Sequence, residues 1–235
     1  MKNWVNSHDS LKLYPLRLWW TRGPAYYTID KMANGYEKTY EVIVPRLKDC
    51  EFSYAALRLG FDLVDRYNMA IDFLGRKYEV DREGVRPLDG KAVDVNILSV
   101  LVYYAISKGN TEPQYDFALL NTFTGGLVSG GARGPDWMVA PILKAFGNDY
   151  ELFRRAARNM GMIYEGSRSA GEHAWQYRLL PKIPVLIKYF EADDEFPCDI
   201  KIYYDKTVPE FLDFEPLAVL NGCLVAAIAH GADIL

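Results

Sequence analysis

Cysteine and histidine are both scarce in this chain of 235 residues, which contains three of each. The cysteines, Cys50, Cys198 and Cys223, lie far apart, and none belongs to a Cys-x-x-Cys pair. A sparse, odd set of cysteines argues against a disulfide-stabilised scaffold and favours a reducing compartment. Zinc and iron–sulfur sites are usually built on closely spaced thiolates, so no iron–sulfur motif is predicted in this chain.

Runs of positive charge and long apolar runs are also missing. The net charge is −4 and no stretch is rich in lysine or arginine, so nucleic-acid binding is not expected, because a basic patch normally neutralises the phosphates. Residues 1–9 are too polar for the apolar core of a signal peptide. The apolar stretch from Leu217 to Ile228 is shorter than the about 20 residues that span a bilayer. The sequence therefore predicts a cytoplasmic protein with no membrane segment.

The residues that are present have the proportions of a globular protein, with half hydrophobic and a quarter charged. The first thirty residues differ from the rest, because aromatic residues alternate there with proline and glycine. We interpret residues 1–29 as an aromatic N-terminal arm and residues 30–235 as a single domain. The arm either covers part of the core, or it covers a ligand pocket or exchanges with a second subunit. Its aromatic residues include Tyr14, Trp19, Trp20, Tyr26 and Tyr27.

Apolar periodicity predicts both helices and strands. The strands are a hairpin near residues 69–80, with its turn at Gly75-Arg76, and a C-terminal meander over residues 174–204. Because strands and helices are grouped, the predicted class is α+β, an antiparallel sheet packed with several helices. Helices are predicted from Asp30 to Leu47, from Asp49 to Leu59, from Asp94 to Gly109, from Asp136 to Phe146, from Asp149 to Met160 and from Leu217 to His230.

A series of short blocks is similar to one known family. The blocks are Tyr36-Glu37-Lys38, Phe73-Leu74-Gly75-Arg76-Lys77-Tyr78-Glu79-Val80, Asn96-Ile97-Leu98, Thr122-Phe123-Thr124-Gly125-Gly126, Leu143-Lys144-Ala145-Phe146-Gly147, Pro181-Lys182-Ile183-Pro184, Asp193-Asp194-Glu195-Phe196-Pro197 and Ile202-Tyr203-Tyr204-Asp205. By their order and spacing, residues 33–230 resemble the prokaryotic family catalogued as domain of unknown function 3786. The resemblance implies a protein of anaerobic bacteria or methanogenic archaea. Some members carry a cysteine-rich iron–sulfur segment, which this chain lacks, and the resemblance supplies no catalytic residue.

An acidic block between two predicted strands is the first candidate site. Asp193, Asp194 and Glu195 are adjacent carboxylates, and Phe196 and Pro197 follow them directly. Three adjacent carboxylates are easiest to place in an exposed loop, where water screens their repulsion. The block either binds a ligand or hard cation, or acts as a general acid and base, or is a solvated turn.

A glycine-rich stretch before a predicted helix is the second candidate. Glycine lets the backbone approach a ligand, and a helix N-terminus attracts anions. Arg133 would add a bidentate partner for a carboxylate or phosphate. The alternative is a loop that needs glycine for its backbone conformation. The candidate ligand-binding residues here are Gly125, Gly126, Gly130, Gly131, Arg133 and Trp137.

His173 is the best candidate among the three histidines for proton transfer or metal ligation, because it directly precedes a predicted strand. With Asp194 and Glu195 it forms the predicted metal-ligand set. An ordinary packing role for His173 is the alternative. The aromatic surplus would also suit a pocket for a flat ligand such as a tetrapyrrole.

Three functions remain open at this point. The first is a binding or accessory protein for a small cofactor or metal, either a divalent metal or a tetrapyrrole such as a corrinoid, in anaerobic or one-carbon metabolism. The second is an interaction module that forms a homodimer through the aromatic arm. The third is an enzyme that uses the Asp193–Glu195 carboxylates with His173 and Arg133.

Overall fold

The computed structural model describes residues 38–124 and 138–231. The predicted aromatic arm at residues 1–29 lies outside the described residues. So do the six candidate residues of the glycine-rich stretch, which fall within residues 125–137, and the predicted cap residue Asp136.

Nine strands and several helices make up the described part of the chain. In chain order the strands are β1 (Asp62–Leu63), β2 (Met69–Phe73), β3 (Arg76–Asp81), β4 (Gly84–Pro87), β5 (Phe117–Leu119), β6 (Ile163–Gly166), β7 (Glu172–Leu180), β8 (Ile183–Phe190) and β9 (Asp199–Asp205). The α-helices are α1 (Phe52–Leu59), α2 (Val95–Ile106), α3 (Ala140–Phe146), α4 (Tyr150–Asn159) and α5 (Phe214–Gly231). Short 3-10 helices cover Val44–Asp49, Leu120–Thr124 and Val208–Glu210.

The predicted α+β class is confirmed, but the predicted hairpin and meander lie in two antiparallel sheets. The first sheet has the order β1-β2-β3-β4, and the second has the order β5-β9-β8-β7-β6. The hairpin turn falls at Leu74 and Gly75, one residue before the predicted position, and both residues have positive φ angles, 49° and 79°. Positive φ at both central residues is what a tight two-residue hairpin turn of this hand requires. The short strands β1, β4, β5 and β6 were not predicted.

Two helices begin where the sequence predicts that an aspartate caps them. Asp94 accepts a hydrogen bond from the Asn96 N–H at 2.8 Å, and Asp149 accepts one from the Leu152 N–H at 2.9 Å. Both caps were predicted. The predicted cap of α1 is wrong, because the N-cap residue is Glu51 rather than Asp49 and its side chain makes no capping hydrogen bond. A helix through residues 38–43 passes into the 3-10 helix at Val44, next to Pro45, which cannot donate an α-helical hydrogen bond.

The helix α5 lies at the centre of the helical layer. It is long and apolar enough, at a mean hydropathy of 1.3, to cross a membrane by length and composition alone. In this structure it packs against α2, α3 and α4. Leu217, Leu220, Leu224 and Ile228, spaced three or four residues apart, are buried along one side. The helix therefore contributes to the core, and the core residues of both sheets belong to one continuous cluster.

The buried hydroxyl of Tyr104 links the end of α1 to the turn between β7 and β8. Tyr104 on α2 donates a hydrogen bond to the Leu59 carbonyl at 2.7 Å and accepts one from the Lys182 N–H at 3.1 Å. Leu59 ends α1, whereas Lys182 lies in the turn between β7 and β8. Burial raises the pKa of Tyr104, so the hydroxyl keeps its proton for the hydrogen bond to Leu59.

The same junction brings two backbone segments into close contact. Gly60, which follows α1, has a φ of 79°, and a Cβ built there would lie 2.6 Å from the Cβ of Pro181. Real side chains do not approach so closely, so only glycine fits here. Gly161 has the same φ of 79°, but a Cβ at that position would meet no atom within 4 Å.

The first prediction concerns Tyr104. Tyr104→Phe keeps the ring but leaves the Leu59 carbonyl and the Lys182 N–H without their partner, so it should lower the free energy of unfolding by about 1–3 kcal/mol. Urea denaturation followed by circular dichroism measures this. Tyr103→Phe is the matched control, since Tyr103 is half-buried and its hydroxyl makes no hydrogen bond to a described residue. Equal stability of the two variants would show that the hydrogen bonds of the Tyr104 hydroxyl do not stabilise the junction between α1 and the β7–β8 turn.

The second prediction separates steric contact from backbone strain. Gly161→Ala places alanine in the left-handed region and should cost about 1–2 kcal/mol. Gly60→Ala adds the contact with Pro181 and should cost roughly 1–3 kcal/mol more. Thermal or urea unfolding of the two variants gives the difference. If both lose the same stability, the close approach of Gly60 and Pro181 does not constrain the fold.

Candidate functional site

The end of the second sheet opposite the β7–β8 turn carries the candidate site. Antiparallel pairing places His173 of β7 opposite Tyr189 of β8. The turn between α3 and α4 lies against this end, since the Tyr189 hydroxyl donates to the Gly147 carbonyl at 2.7 Å. Between the turn and the strands is a wide, open concavity of about 720 Å³. We call it the Tyr150 concavity, and its lining residues are Asn148, Asp149, Tyr150, Glu151, His173 and Glu191.

The imidazole of His173 is held on two sides. Its ring stacks on Tyr150, with ring centroids 3.5 Å apart and planes inclined by 12°. Its Nε2 lies 2.6 Å from Oε1 of Glu191. An ionised carboxylate only accepts hydrogen bonds, so Nε2 is the donor when Glu191 is charged. Nδ1 is buried and has no hydrogen-bond partner. Neither ring nitrogen is therefore presented to the open concavity.

Glu191 is the carboxylate of the concavity that is bonded to the stacked imidazole. Its side chain is 45% exposed and only Oε1 bonds to His173. The two other carboxylates have roles within the protein, because Asp149 caps α4 and Glu151 pairs with Arg154. A ligand in the concavity would thus meet a carboxylate whose orientation is fixed by the imidazole.

Aromatic side chains continue from the concavity along β6 and β7. The Tyr164 ring lies 5.0 Å from Trp175 and 6.4 Å from His173. Trp175 is buried, and its indole N–H points toward the Tyr150 hydroxyl without reaching hydrogen-bond geometry. Burial raises the pKa of Tyr150, and the nearby indole N–H partly offsets that rise. Tyr150 is therefore a neutral phenol at physiological pH, and its ring forms an apolar wall.

The predicted acidic site is an exposed, ordered loop between β8 and β9. Asp193 Oδ1 accepts hydrogen bonds from the backbone N–H of Glu195 at 2.9 Å and of Phe196 at 2.7 Å. The Asp193 N–H in turn donates to the Phe196 carbonyl at 2.9 Å. Asp193 thus closes a turn, and Asp194, Glu195 and Phe196 project from it as exposed residues. The candidate residues lie together, but none of the four lines the Tyr150 concavity.

The predicted metal-ligand set is not assembled in this structure. Within residues 38–124 and 138–231, no three or more histidine, cysteine, aspartate or glutamate side chains form a group that could hold a metal ion. His173 faces Glu191, whereas the turn at Asp193 directs Asp194 and Glu195 to solvent. His173 and the two carboxylates therefore have different surroundings, and the predicted set does not come together among the described residues.

The three cysteines have the properties of packing residues. Burial raises the pKa of Cys50 and Cys198, and it raises the pKa of Cys223 to about 12. Each thiol is therefore protonated at neutral pH and is a poor nucleophile.

Sequence reasoning missed Tyr150 and Glu191. Tyr150 follows the predicted cap residue Asp149 directly, so its position at the first turn of α4 was available from the sequence. Glu191 follows β8, two residues before the acidic block. Their meeting with His173 depends on the pairing of β7 with β8 and on where the α3–α4 turn packs, which periodicity does not reveal.

Comparison with known proteins supports one assignment. The family model described as domain of unknown function (DUF3786) matches residues 51–227, more than half of the chain. The chain belongs to this family. The matched region of this DUF3786 protein contains the Tyr150 concavity, the acidic loop and both sheets. A search of curated proteins and a search of solved structures each gave no match.

The third prediction tests the stacked imidazole. The protein has three histidines, so a spectrum of protein whose histidine is ¹³C-labelled at Cε1 alone contains three ring signals. The His173 signal should lie upfield of the other two, because the ring sits on the face of Tyr150. Tyr150→Leu should return it to the position of an unstacked histidine, and Tyr164→Leu, which removes a ring 6.4 Å away, should shift it much less. A His173 signal unaffected by Tyr150→Leu would rule out the stack.

Proposed function

We propose that this DUF3786 protein binds a small, positively charged organic ligand in the Tyr150 concavity. One observation carries the proposal. The stacked Tyr150–His173 pair and the half-exposed Glu191 share an open concavity whose lining contains no lysine or arginine among the described residues. An aromatic wall beside a carboxylate is the arrangement that attracts an organic cation.

The charges around the concavity support a cationic ligand. Glu191 offers a carboxylate oxygen that makes no hydrogen bond to a described residue, and Asn148 adds a side-chain amide. One face of the Tyr150 ring is covered by His173, so a cation would meet the π system of the ring at its other face. An anion would meet three carboxylates in the lining; Arg154 offsets the charge of Glu151, but Asp149 and Glu191 would still repel the anion.

The surroundings of the two ring nitrogens of His173 favour ligand binding over acid–base catalysis. Nε2 is engaged with Glu191, and Nδ1 is buried. A general base must reach the proton that it removes, directly or through one water molecule. An imidazole held in this way orients Glu191 rather than reacting. The alternative enzyme, with carboxylates of the Asp193–Glu195 loop, remains a second proposal with less support, because those residues lie outside the concavity.

The wider prediction of an accessory protein for a cofactor or metal in anaerobic metabolism rests on the acidic loop, the glycine-rich stretch, the aromatic content and the family resemblance, and it stays a prediction. A divalent metal would need ligands beyond any group formed by the described residues. The corrinoid or tetrapyrrole prediction rests on the aromatic content and stays a prediction, as do the cytoplasmic location and the homodimer formed through the arm.

The fourth prediction uses simple cations as probes. Tetramethylammonium and ethylammonium chloride, titrated at millimolar concentrations, should shift the His173 ring signal, whereas sodium sulfate at equal ionic strength should not. Glu191→Gln and Tyr150→Leu should each weaken the affinity at least about tenfold, which equals about 1.4 kcal/mol. Glu165→Gln is the matched control, since Glu165 is exposed on β6 and outside the lining.

The same titration distinguishes the other ligand classes. Zinc, nickel and cobalamin are added separately, and binding of any of them with no response to either ammonium ion would replace the organic cation by a metal or corrinoid. Absence of any response to ammonium ions, or equal affinity in the Glu191→Gln variant, would count against the proposed site.

A further inference from the structure

Two surfaces of opposite charge lie outside the Tyr150 concavity. The first is the exposed turn at residues 193–197, which we call the acidic knob. It presents the ring of Phe196, which is 66% exposed, beside the carboxylates of Asp194 and Glu195. Asp193 closes the turn through three hydrogen bonds, so the aromatic ring is held outward by an ordered backbone. An exposed aromatic side chain on an ordered turn loses little conformational entropy when it enters a pocket.

The second surface is a concavity of about 330 Å³ beside the N-terminus of α1, which we call the basic concavity. The side chains of Arg66 and Arg82 both lie over the ring of Tyr67, 5.5 and 5.1 Å from its centre. Together with Lys48, these two arginines make no ion pair with a described residue. The lining residues are Lys48, Asp49, Cys50, Glu51, Phe52, Ser53, Arg66, Tyr67 and Arg82.

The charge of the basic concavity is positive despite its two acidic residues. Three cations against the carboxylates of Asp49 and Glu51 leave a net charge of +1. The first turn of α1 adds to this potential, because its backbone N–H groups receive no side-chain cap. Tyr54 and Leu57 on the outer side of α1 are 56% and 84% exposed, so apolar surface extends from the helix.

We propose that the acidic knob of one copy docks in the basic concavity of a second copy. The argument is complementarity of charge and shape, since an exposed Phe flanked by two carboxylates matches a small concavity lined by Tyr67 and by two arginines that pair with no described residue. Both surfaces are exposed within one chain, so they do not satisfy each other internally. Because two different surfaces meet, the contact is head-to-tail and forms either a closed ring or an open chain of copies.

The first test is the mass of the full chain in solution. Analytical ultracentrifugation should give a weight-average mass that rises above 26.8 kDa with protein concentration. The association should weaken as salt is raised, because exposed charges are screened. A mass that stays at the monomer value across the concentration series overturns the proposal.

Charge reversal identifies the contact. Arg82→Glu and Glu195→Arg should each weaken the self-association at least about 30-fold, and so should Phe196→Ser, which removes the aromatic anchor. Arg82→Glu combined with Glu195→Arg in one chain should restore association. The matched controls are Arg155→Glu and Glu41→Arg, both at exposed positions outside the two surfaces, and they should leave the mass unchanged. All altered side chains except that of Phe196 are exposed charged groups, and urea denaturation confirms that each variant folds.

The decisive experiment mixes the Arg82→Glu variant with the Glu195→Arg variant. Copies with Arg82→Glu keep an intact knob, and copies with Glu195→Arg keep an intact basic concavity. Each variant alone should be monomeric, whereas an equimolar mixture should form complexes that contain the two variants in equal numbers. Association that survives both single reversals would be carried by another surface, such as the aromatic arm, and that result overturns the proposal, as does a mixture that stays monomeric.

Discussion

The hydrogen bonds of the buried Tyr104 hydroxyl tie the helices beside the first sheet to the β7–β8 hairpin of the second sheet. The hydroxyl connects the end of α1 with the β7–β8 turn, and these segments are more than 100 residues apart in sequence. Phe61 and Phe211 pack on its ring at centroid distances of 5.5 and 6.2 Å, so the polar contact lies inside an aromatic cluster. In such surroundings a backbone carbonyl or N–H without a partner is costly, and the hydroxyl satisfies one of each. The close contact of Gly60 with Pro181 fixes the same junction sterically.

The position of the candidate site follows from that junction. The β7–β8 hairpin is anchored at its turn, at Lys182, and it carries His173 and Glu191 at its other end. From Lys182 to Glu191 the chain advances nine residues, roughly 30 Å of extended strand. One end of the hairpin is thus held against the scaffold and the other is open, with the α3–α4 turn against it. Residues of the open end face water and one another, which is where polar groups are least costly and a ligand can reach them. This division explains why Glu191 of the Tyr150 concavity and the acidic knob both lie at the accessible end of the hairpin.

The sequence predicted those parts of the fold that depend on local interactions. Asp94 and Asp149 cap their helices as expected, because a capping aspartate needs only the backbone N–H two or three residues ahead. The alternation of apolar residues around Ile71, Ile187 and Ile202 predicted the main strands. The division into two sheets, the short strand β5 paired with β9, and the approach of Tyr150 to His173 depend on contacts between distant segments. For the same reason His173 was recognised as a candidate, but its partner Glu191 was not. The acidic block was grouped with His173 in a predicted metal site, whereas the turn at Asp193 directs Asp194 and Glu195 to solvent.

The two proposals meet in one loop, and this has a thermodynamic consequence. Glu191 of the Tyr150 concavity is separated from Asp193, which closes the acidic knob, by a single residue, and its N–H donates to the Gly171 carbonyl at 2.8 Å. A cation bound at Glu191 would reduce the negative potential around the knob, and the docked knob would place the arginines of a second copy close to Glu191. Each event would then change the affinity of the other by the same factor, since binding linkage is reciprocal. The sign of this coupling between ligand binding and self-association follows from charge alone, because a cation at Glu191 and the basic concavity of a neighbour compete for the same negative potential. Ligand binding and self-association at this end of the sheet are therefore expected to oppose each other.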